Sequence, residues 1–506
     1  MLRALRRPRT LSWGLSWLLP WGLAGLFAVL YACVAVNRHR RMLTQAYDLG
    51  IFEQAVRAYA HGEAPVVLLK GPGYHLLGDH FHPVLVTLAP LYRLFPSAVT
   101  LLLAQAVLMA LAVVPLSRWA FEVGGPRLAG LVGCLTGASW GIVEAVADDF
   151  HEIAFAVPLL AFAATALGRG RSVAAVLWAL PLVLVKEDLG LTVAVFGGLV
   201  LFRAGLGSRV GALGFGVMVF GLAATALTVL VVLPAFNPGG GFDYWGQMGT
   251  REAAGAPWEA AVRLVWPPLK WLLLGLAAAT AGFLGLRSPL VLLCVPTLGW
   301  RLIADNPHYW GVSYHYSAVL MPLLLAALVD GLQWSGAFAR AGASSGVDAA
   351  GASAGPARAA VRRARRALVA AGLVAVVTLP IYPLHELVAP GAWGTSPRLT
   401  QARAMLARIP DGATVTASNR LAAQLAGRTT VGLVCREPAP PLADGSHGGP
   451  DGGPRGGPEW VAVDLADPSV QAPCAIADTV RMLGRYEQLG YRRVVDDGDL
   501  RLLARP

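Results

Sequence analysis

The sequence predicts a polytopic α-helical membrane protein with a small α/β unit at its C-terminal end. Three observations lead there. Hydrophobic residues make up 56% of the 506 and charged residues only 14%, against roughly 25% charged in ordinary soluble domains. Apolar runs long enough to cross a hydrocarbon core, about 17–25 residues, recur along the chain. Arginines on one hand, and acids and histidines on the other, fall into alternate loops between those runs, as a membrane topology requires.

The first element is the run 17–36. Arg3, Arg6, Arg7 and Arg9 precede it and it lacks a small-residue cleavage site, so it reads as a retained helix rather than a signal peptide. Further spans are expected at 98–117, 127–146, 153–168, 172–186, 189–203, 210–234, 268–286, 288–304, 315–334 and 367–384, which makes about eleven helices. The stretch 83–95 is apolar but short and suits an interfacial or re-entrant helix. Loops with Arg118, Arg127, Arg169, Arg171, Arg203, Arg209 and Arg287, and the run Arg362, Arg363, Arg365 and Arg366, are assigned to the cytoplasmic side. The N-terminus is then cytoplasmic and the C-terminus extracytoplasmic, in the cell membrane. Arg38, Arg40 and Arg41 run against that assignment and are outvoted.

Residues 1–397 form the transmembrane unit on this reading, with a long first outer loop at 37–97. An inner linker at 335–366, Ala/Gly/Ser-rich and then basic, is expected to be flexible and to gather at the anionic inner leaflet. Residues 398–506 form the outer α/β unit. Strands are expected at 413–417, 430–434 and 459–464, with Ser418 capping a short helix and a hairpin from 491–495 and 500–503 closing the unit across Asp497-Gly498. The Gly/Pro-rich insertion 436–458 has no means of burying a core and is expected to be disordered. Cys33, Cys134 and Cys294 lie in apolar runs, whereas Cys435 and Cys474 can pair if the tail is extracytoplasmic. Trp245, Trp258, Trp266, Trp271 and Trp310 suit an aromatic belt.

Composition and motifs also exclude. The net charge of +11 does not indicate nucleic acid, because the arginines lie between spans rather than in a recognition patch. A P-loop and an HExxH helix are missing from the sequence, and no GxSxG sits on a strand-to-helix elbow, which leaves ATPase, serine hydrolase and zincin readings unsupported.

Four outer segments carry the candidate chemistry. In Tyr47-Asp48-Leu49-Gly50-Ile51-Phe52-Glu53-Gln54, Asp48 is either the cap of a surface helix or a functional acid. The helix would lay the stripe Ile51, Ala55, Val56 and Tyr59 on the bilayer and pair Glu53 with Arg57. Gly78-Asp79-His80-Phe81-His82-Pro83 offers metal ligands, or only a polar turn before a helix starting at Pro83. Asp148-Asp149-Phe150-His151-Glu152 is wedged between two spans, where ionisable groups are costly unless they pair or line a cavity. Lys186-Glu187-Asp188 makes a tight outer turn. Lys186 there, and Arg301 before Asp305, His308, Tyr309 and His315, can hold a phosphate or merely snorkel. Acids and histidines from distant loops thus meet on one side, as sites in helix bundles do.

Segments 47–54, 78–83, 148–152, 186–188 and 308–315 together resemble an uncharacterised family of polytopic prokaryotic membrane proteins, the domain of unknown function numbered 2079. The resemblance covers most of the chain; the linker and the Gly/Pro-rich insertion look like additions. That family is in turn similar to the GT-C superfamily of integral-membrane glycosyltransferases. The resemblance implies an acid in the first outer loop, a second in the next outer loop, and sugars taken from polyprenyl-phosphate carriers. Asp48 stands at the first place and Asp148 or Asp149 at the second.

The expected function is transfer of a sugar from a polyprenyl-phosphate donor to an extracytoplasmic acceptor, within a lipid membrane and without nucleic acid. Asp48, Asp148 and Asp149 are the catalytic candidates, with Glu53, Lys186, Glu187, Arg301, His308 and Tyr309 around the substrate. A divalent metal (Mg²⁺, Mn²⁺ or Zn²⁺) is a candidate cofactor, with Asp79, His80, His82, His151 and Glu152 as its ligands. The rival readings are a multi-pass transporter or lipid flippase, whose ionisable groups would form relays, and a scaffold whose outer unit binds a partner. The sequence shows no inverted repeat or paired broken helices in favour of transport.

Overall fold

The apolar runs form helices in the computed structural model, which describes residues 9–244, 262–338, 354–435, 457–467 and 474–506. Among these, Gly14–Arg40, Ala98–Ala147, Arg209–Phe236 and His315–Ser335 are long and apolar enough to cross a membrane. Ala98–Ala147 is a hairpin rather than one rod. Gly124 and Gly125 leave helical geometry, Gly125 at φ 75°, and Pro126 restarts the helix. Shorter apolar helices Glu152–Gly168, Ser172–Leu184, Leu189–Ala204, Leu269–Thr280 and Pro289–Ile303 fall on the other expected runs. Helix Ala354–Thr378 begins earlier than expected, so the arginine run belongs to the same rod as the apolar residues after it. The stretch 83–95 is a 3₁₀ segment, Pro83–Leu88, followed by the short helix Ala89–Leu94. Most of the expected linker (339–353) and of the insertion (436–456), with Trp245 and Trp258, lie outside the described residues.

Small residues let these helices approach. A Cβ on Gly197 would lie 2.4 Å from the backbone nitrogen of Met218, and one on Gly221 2.4 Å from the carbonyl of Gly190. Helices Leu189–Ala204 and Arg209–Leu227 are therefore in backbone contact, which larger residues would prevent. The expected aromatic belt loses Trp310, which is buried, while Trp266 and Trp271 are exposed.

The C-terminal unit is built on a five-stranded sheet in the order β2-β1-β3-β5-β4. Its strands are β1 (Thr414–Ala417), β2 (Thr430–Leu433), β3 (Trp460–Asp464), β4 (Arg492–Asp497) and β5 (Leu500–Ala504). β1 runs parallel to β2 and β3, whereas β5 is antiparallel to β3 and β4. The hairpin turns at Gly498, whose φ of 60° suits glycine. Two helices not expected from the pattern, Pro397–Leu406 and Ile476–Gln488, belong to this unit. The second buries Met482, Leu483 and Tyr486 with Val461, Val463 and Leu503. Ser418 starts the short helix, but its hydroxyl caps nothing and instead accepts from the Asp464 amide at 3.2 Å. Cys435 and Cys474 are joined as a disulfide.

The first loop departs most from expectation. Helix Ile51–Ala60 buries Ile51, Ala55 and Val56 within the protein instead of lying on a bilayer. It packs under the C-terminal unit: Gln54 donates to the Val431 carbonyl at 2.8 Å. Arg57, expected to pair with Glu53, donates to the carbonyls of Ala426 and Thr429 at 3.2 and 3.0 Å.

Candidate functional site

A cavity of about 800 Å³ opens at the end of the bundle where the first loop lies. Asp48 reaches it from a π-helical turn, Ala46–Gly50, that runs directly into helix Ile51–Ala60, so the carboxylate is no N-cap. Its Oδ1 lies 3.6 Å from Nε2 of His151, and its side chain is 36% exposed. The turn is clamped from both sides. Asn419 accepts from the Tyr47 amide at 2.9 Å and donates to Gln45 Oε1 at 3.0 Å. Asp149 accepts from the Gln45 amide at 2.7 Å.

The segment 148–152 forms the second wall. Gln105 accepts from the His151 amide at 2.9 Å and donates to the carbonyls of Ala145, at 3.2 Å, and Asp149. Held this way, Asp149 adopts φ 62°, a left-handed geometry rare outside glycine. Asp148 Oδ2 accepts from the backbone amide of His315 and meets its Nδ1, both at 2.9 Å. The rings of His151 and His315 stack with centroids 3.6 Å apart.

Three pairs line the remainder: Lys70 with Asp79 at 2.8 Å, Lys186 with Glu152 at 2.8 Å, and His80 with Glu187 at 2.7 Å. Burial opposes the charge on Lys70, but Asp79 outweighs it and raises the pKa above the ordinary lysine value. Burial likewise opposes the charge on Lys186, and Glu152 overcomes it. Burial pushes His82 down to about 4, which keeps it neutral. Asp149 is held well above the usual carboxylate range, by burial first and then by Asp48. Burial works against a charged His151, yet its contact with Asp48 and the charge of Asp148 carry it up to about 9.

The family model described as predicted membrane protein (DUF2079) matches residues 38–438. The chain belongs to that family. A solved structure, ArnT from Cupriavidus metallidurans bound to undecaprenyl phosphate, is similar over 96% of this chain and 98% of that one, at 17% identity and a TM-score of 0.53. That likeness shows that the two chains share a fold. A search of curated proteins finds no match.

In this DUF2079 chain the expected residues fall into three groups. Asp48, Asp79, His80, His82, His151 and Glu152 line the cavity, and so do Lys186, Glu187, His308 and Tyr309. Asp148 and Asp149 stand just behind it, against His315 and the Asp48 turn. Glu53 and Arg301 are elsewhere. Glu53 is buried, accepts from the Tyr92 hydroxyl at 3.0 Å, and is pushed up to about 7 by burial. Arg301 neither snorkels nor faces the cavity. It is fully buried and donates to the carbonyls of Tyr309, Gly311 and Tyr316 and the hydroxyl of Ser317, pinning the loop before His315.

The five expected metal ligands do not gather around one point. Asp79, His80 and Glu152 are taken up by ion pairs, and His82 is buried with its Nδ1 unpaired. Among the described residues, the group that could hold a metal is Asp148, His151 and His315, with donor atoms all within 4.8 Å of one another. Lys70 was missed at the site, and His315 and Asp188 were singled out within their segments but given no role. Lysine was the available signal: the chain has only three, Lys70, Lys186 and Lys270, and two of them face the cavity.

Replacing Asn419 by Ala is expected to loosen the Asp48 turn, because the Tyr47 amide loses its partner. Hydrogen exchange followed by mass spectrometry should show faster exchange at residues 46–50 with the spans unchanged. Unaltered protection there would rule out the clamp.

Proposed function

We propose that this protein is a GT-C-like glycosyltransferase that moves a sugar from a polyprenyl-phosphate donor to an extracytoplasmic acceptor. The observation that carries this reading is one cavity lined by the Asp48 carboxylate, two lysines and an apolar wall. Asp48 takes the proton of the acceptor hydroxyl, and the freed oxygen attacks the anomeric carbon. The bond from that carbon to the phosphate oxygen breaks, and the lipid phosphate departs with the electron pair. Lys70 and Lys186, already ordered by Asp79 and Glu152, meet its charge. Asp149 positions the Asp48 turn, and His308 and Tyr309 line the sugar's side of the cavity.

Leu191, Leu222, Ala226, Val229 and Leu230 make the apolar wall, and Leu222 and Leu230 are 49% and 66% exposed. An isoprenoid chain can therefore approach sideways from the bilayer. The fold neighbour's undecaprenyl phosphate supports this ligand class. The Cys435–Cys474 disulfide suits an oxidising compartment, so the reading keeps the unit 398–506 outside, the transmembrane unit 1–397 in the cell membrane and the N-terminus in the cytoplasm.

The test compares extractable polyprenyl-phosphate sugars and envelope glycans in cells with and without the protein. Accumulation of one lipid-linked sugar together with loss of one glycan is expected, and would identify the donor. Unchanged lipids and glycans would overturn the reading in favour of transport or scaffolding.

A further inference from the structure

We propose that Asp148, His151 and His315 bind one divalent first-row transition-metal ion of the zinc class at the edge of the cavity. The three donors come from two loops far apart in sequence, yet their ligand atoms lie within 4.8 Å of one another. Both histidines are buried, at 5% and 9% exposure. Stacked rings 3.6 Å apart are poorly suited to carrying two positive charges and well suited to sharing one ion.

Three independent features point the same way. Nδ1 of His151 is buried and has no hydrogen-bond partner, although such atoms are normally satisfied. Its Nε2 faces Asp48, and Nδ1 of His315 faces Asp148 Oδ2. His151 is thus oriented on one nitrogen by a carboxylate outside the ligand set, with the other nitrogen left free, the arrangement that supports metal-bound histidines. The backbone next to the ligands is also strained on both loops, with Asp149 at φ 62° and Tyr314 at φ 65°. Such geometry persists where the surroundings enforce it, commonly at ligand sites.

Charge supplies the third feature. Among the described residues lining the cavity, Asp48, Asp79, Glu152, Glu187 and Asp188 face only Lys70 and Lys186. The carboxylates outnumber the lysines by three, an unfavourable setting for any phosphate. One dication at the edge of the cavity reduces the excess. Two imidazoles and one carboxylate favour zinc, manganese or cobalt over magnesium or calcium, which take oxygen ligands. Three protein ligands leave a coordination position for water or a ligand oxygen.

The assignment does not depend on the transferase reading, and metal analysis reads it directly. The full-length protein would be purified in detergent through a tag without histidines, equilibrated with Zn²⁺, desalted, and analysed by plasma mass spectrometry. About one equivalent of zinc is expected in the wild type and in His308→Ala. His315→Ala and His151→Ala should each lose metal affinity by more than about tenfold. Co²⁺ in place of zinc should give visible absorption bands in the wild type that shift in His315→Ala, a second reading that does not require the two variants to fold equally well. Wild-type protein that retains no zinc and shows no cobalt bands would overturn the assignment, as would equal retention by wild type and His315→Ala. Metal retained with no effect on lipid-linked sugars would instead count against the proposed transfer and leave the site standing.

Discussion

Asp48→Asn is expected to reduce sugar transfer by about 10²–10⁴-fold, the usual contribution of a positioned general base. Asparagine has nearly the same shape, and the Asp48 side chain is 36% exposed, so the fold has little reason to respond. The turn itself is held by Asn419 and Asp149 through backbone amides, which the substitution leaves in place. Thermal unfolding in detergent should therefore be unchanged while turnover of a lipid-linked sugar by the purified protein collapses. Donor binding should persist, since Lys70 and Lys186 are untouched. Turnover at the wild-type rate would remove Asp48 as base and leave the other groups on that wall, such as His151, to be examined.

Lys186→Met is expected to destabilise the protein by about 3–5 kcal/mol, the usual cost of stranding a buried charge. The Glu152 side chain is 1% exposed and its charge is balanced by Lys186 at 2.8 Å. Pairing Lys186→Met with Glu152→Gln should recover much of the loss, because removing both charges leaves neither one stranded. Thermal unfolding of the two single variants and the double variant forms a cycle that isolates the pair. A Lys186→Met variant as stable as wild type would show that Glu152 finds another partner or a proton. The double variant also separates two roles of Lys186: if its stability returns but lipid-phosphate binding does not, the lysine binds the donor as well as supporting the wall.

The first-loop segment shows how far local pattern reaches. Its helix was legible because Ile51, Ala55 and Val56 recur at helical spacing. Which surface the stripe meets was not legible, since a bilayer and a protein interior select the same apolar residues. Arg57 illustrates the same limit. Its i,i+4 partner is set by sequence, but two carbonyls of the C-terminal unit are better placed to receive it. Arg301 was read as a phosphate ligand from its position near the outer end of a span. In the fold that position puts it inside a loop whose carbonyls consume its donors.

The site divides in the same way. Costly ionisable residues between apolar spans singled out Asp48, His151, Glu152, Lys186 and Glu187, and all of them line one cavity. Their partners were invisible, because Lys186–Glu152, His80–Glu187 and His151–Asp48 join loops with no fixed relation in sequence.

The sequence by itself determined the membrane character, the helical runs, most of the strand positions and the collection of ionisable groups into a few loops. Hydropathy, periodicity and the cost of burying charge act locally and leave their mark residue by residue. Only the tertiary structure decided that the C-terminal unit clamps the Asp48 turn, that Glu53 and Arg301 support the scaffold, and that His315 joins His151 and Asp148. Those outcomes depend on which distant surfaces meet, a property of packing that no local pattern encodes.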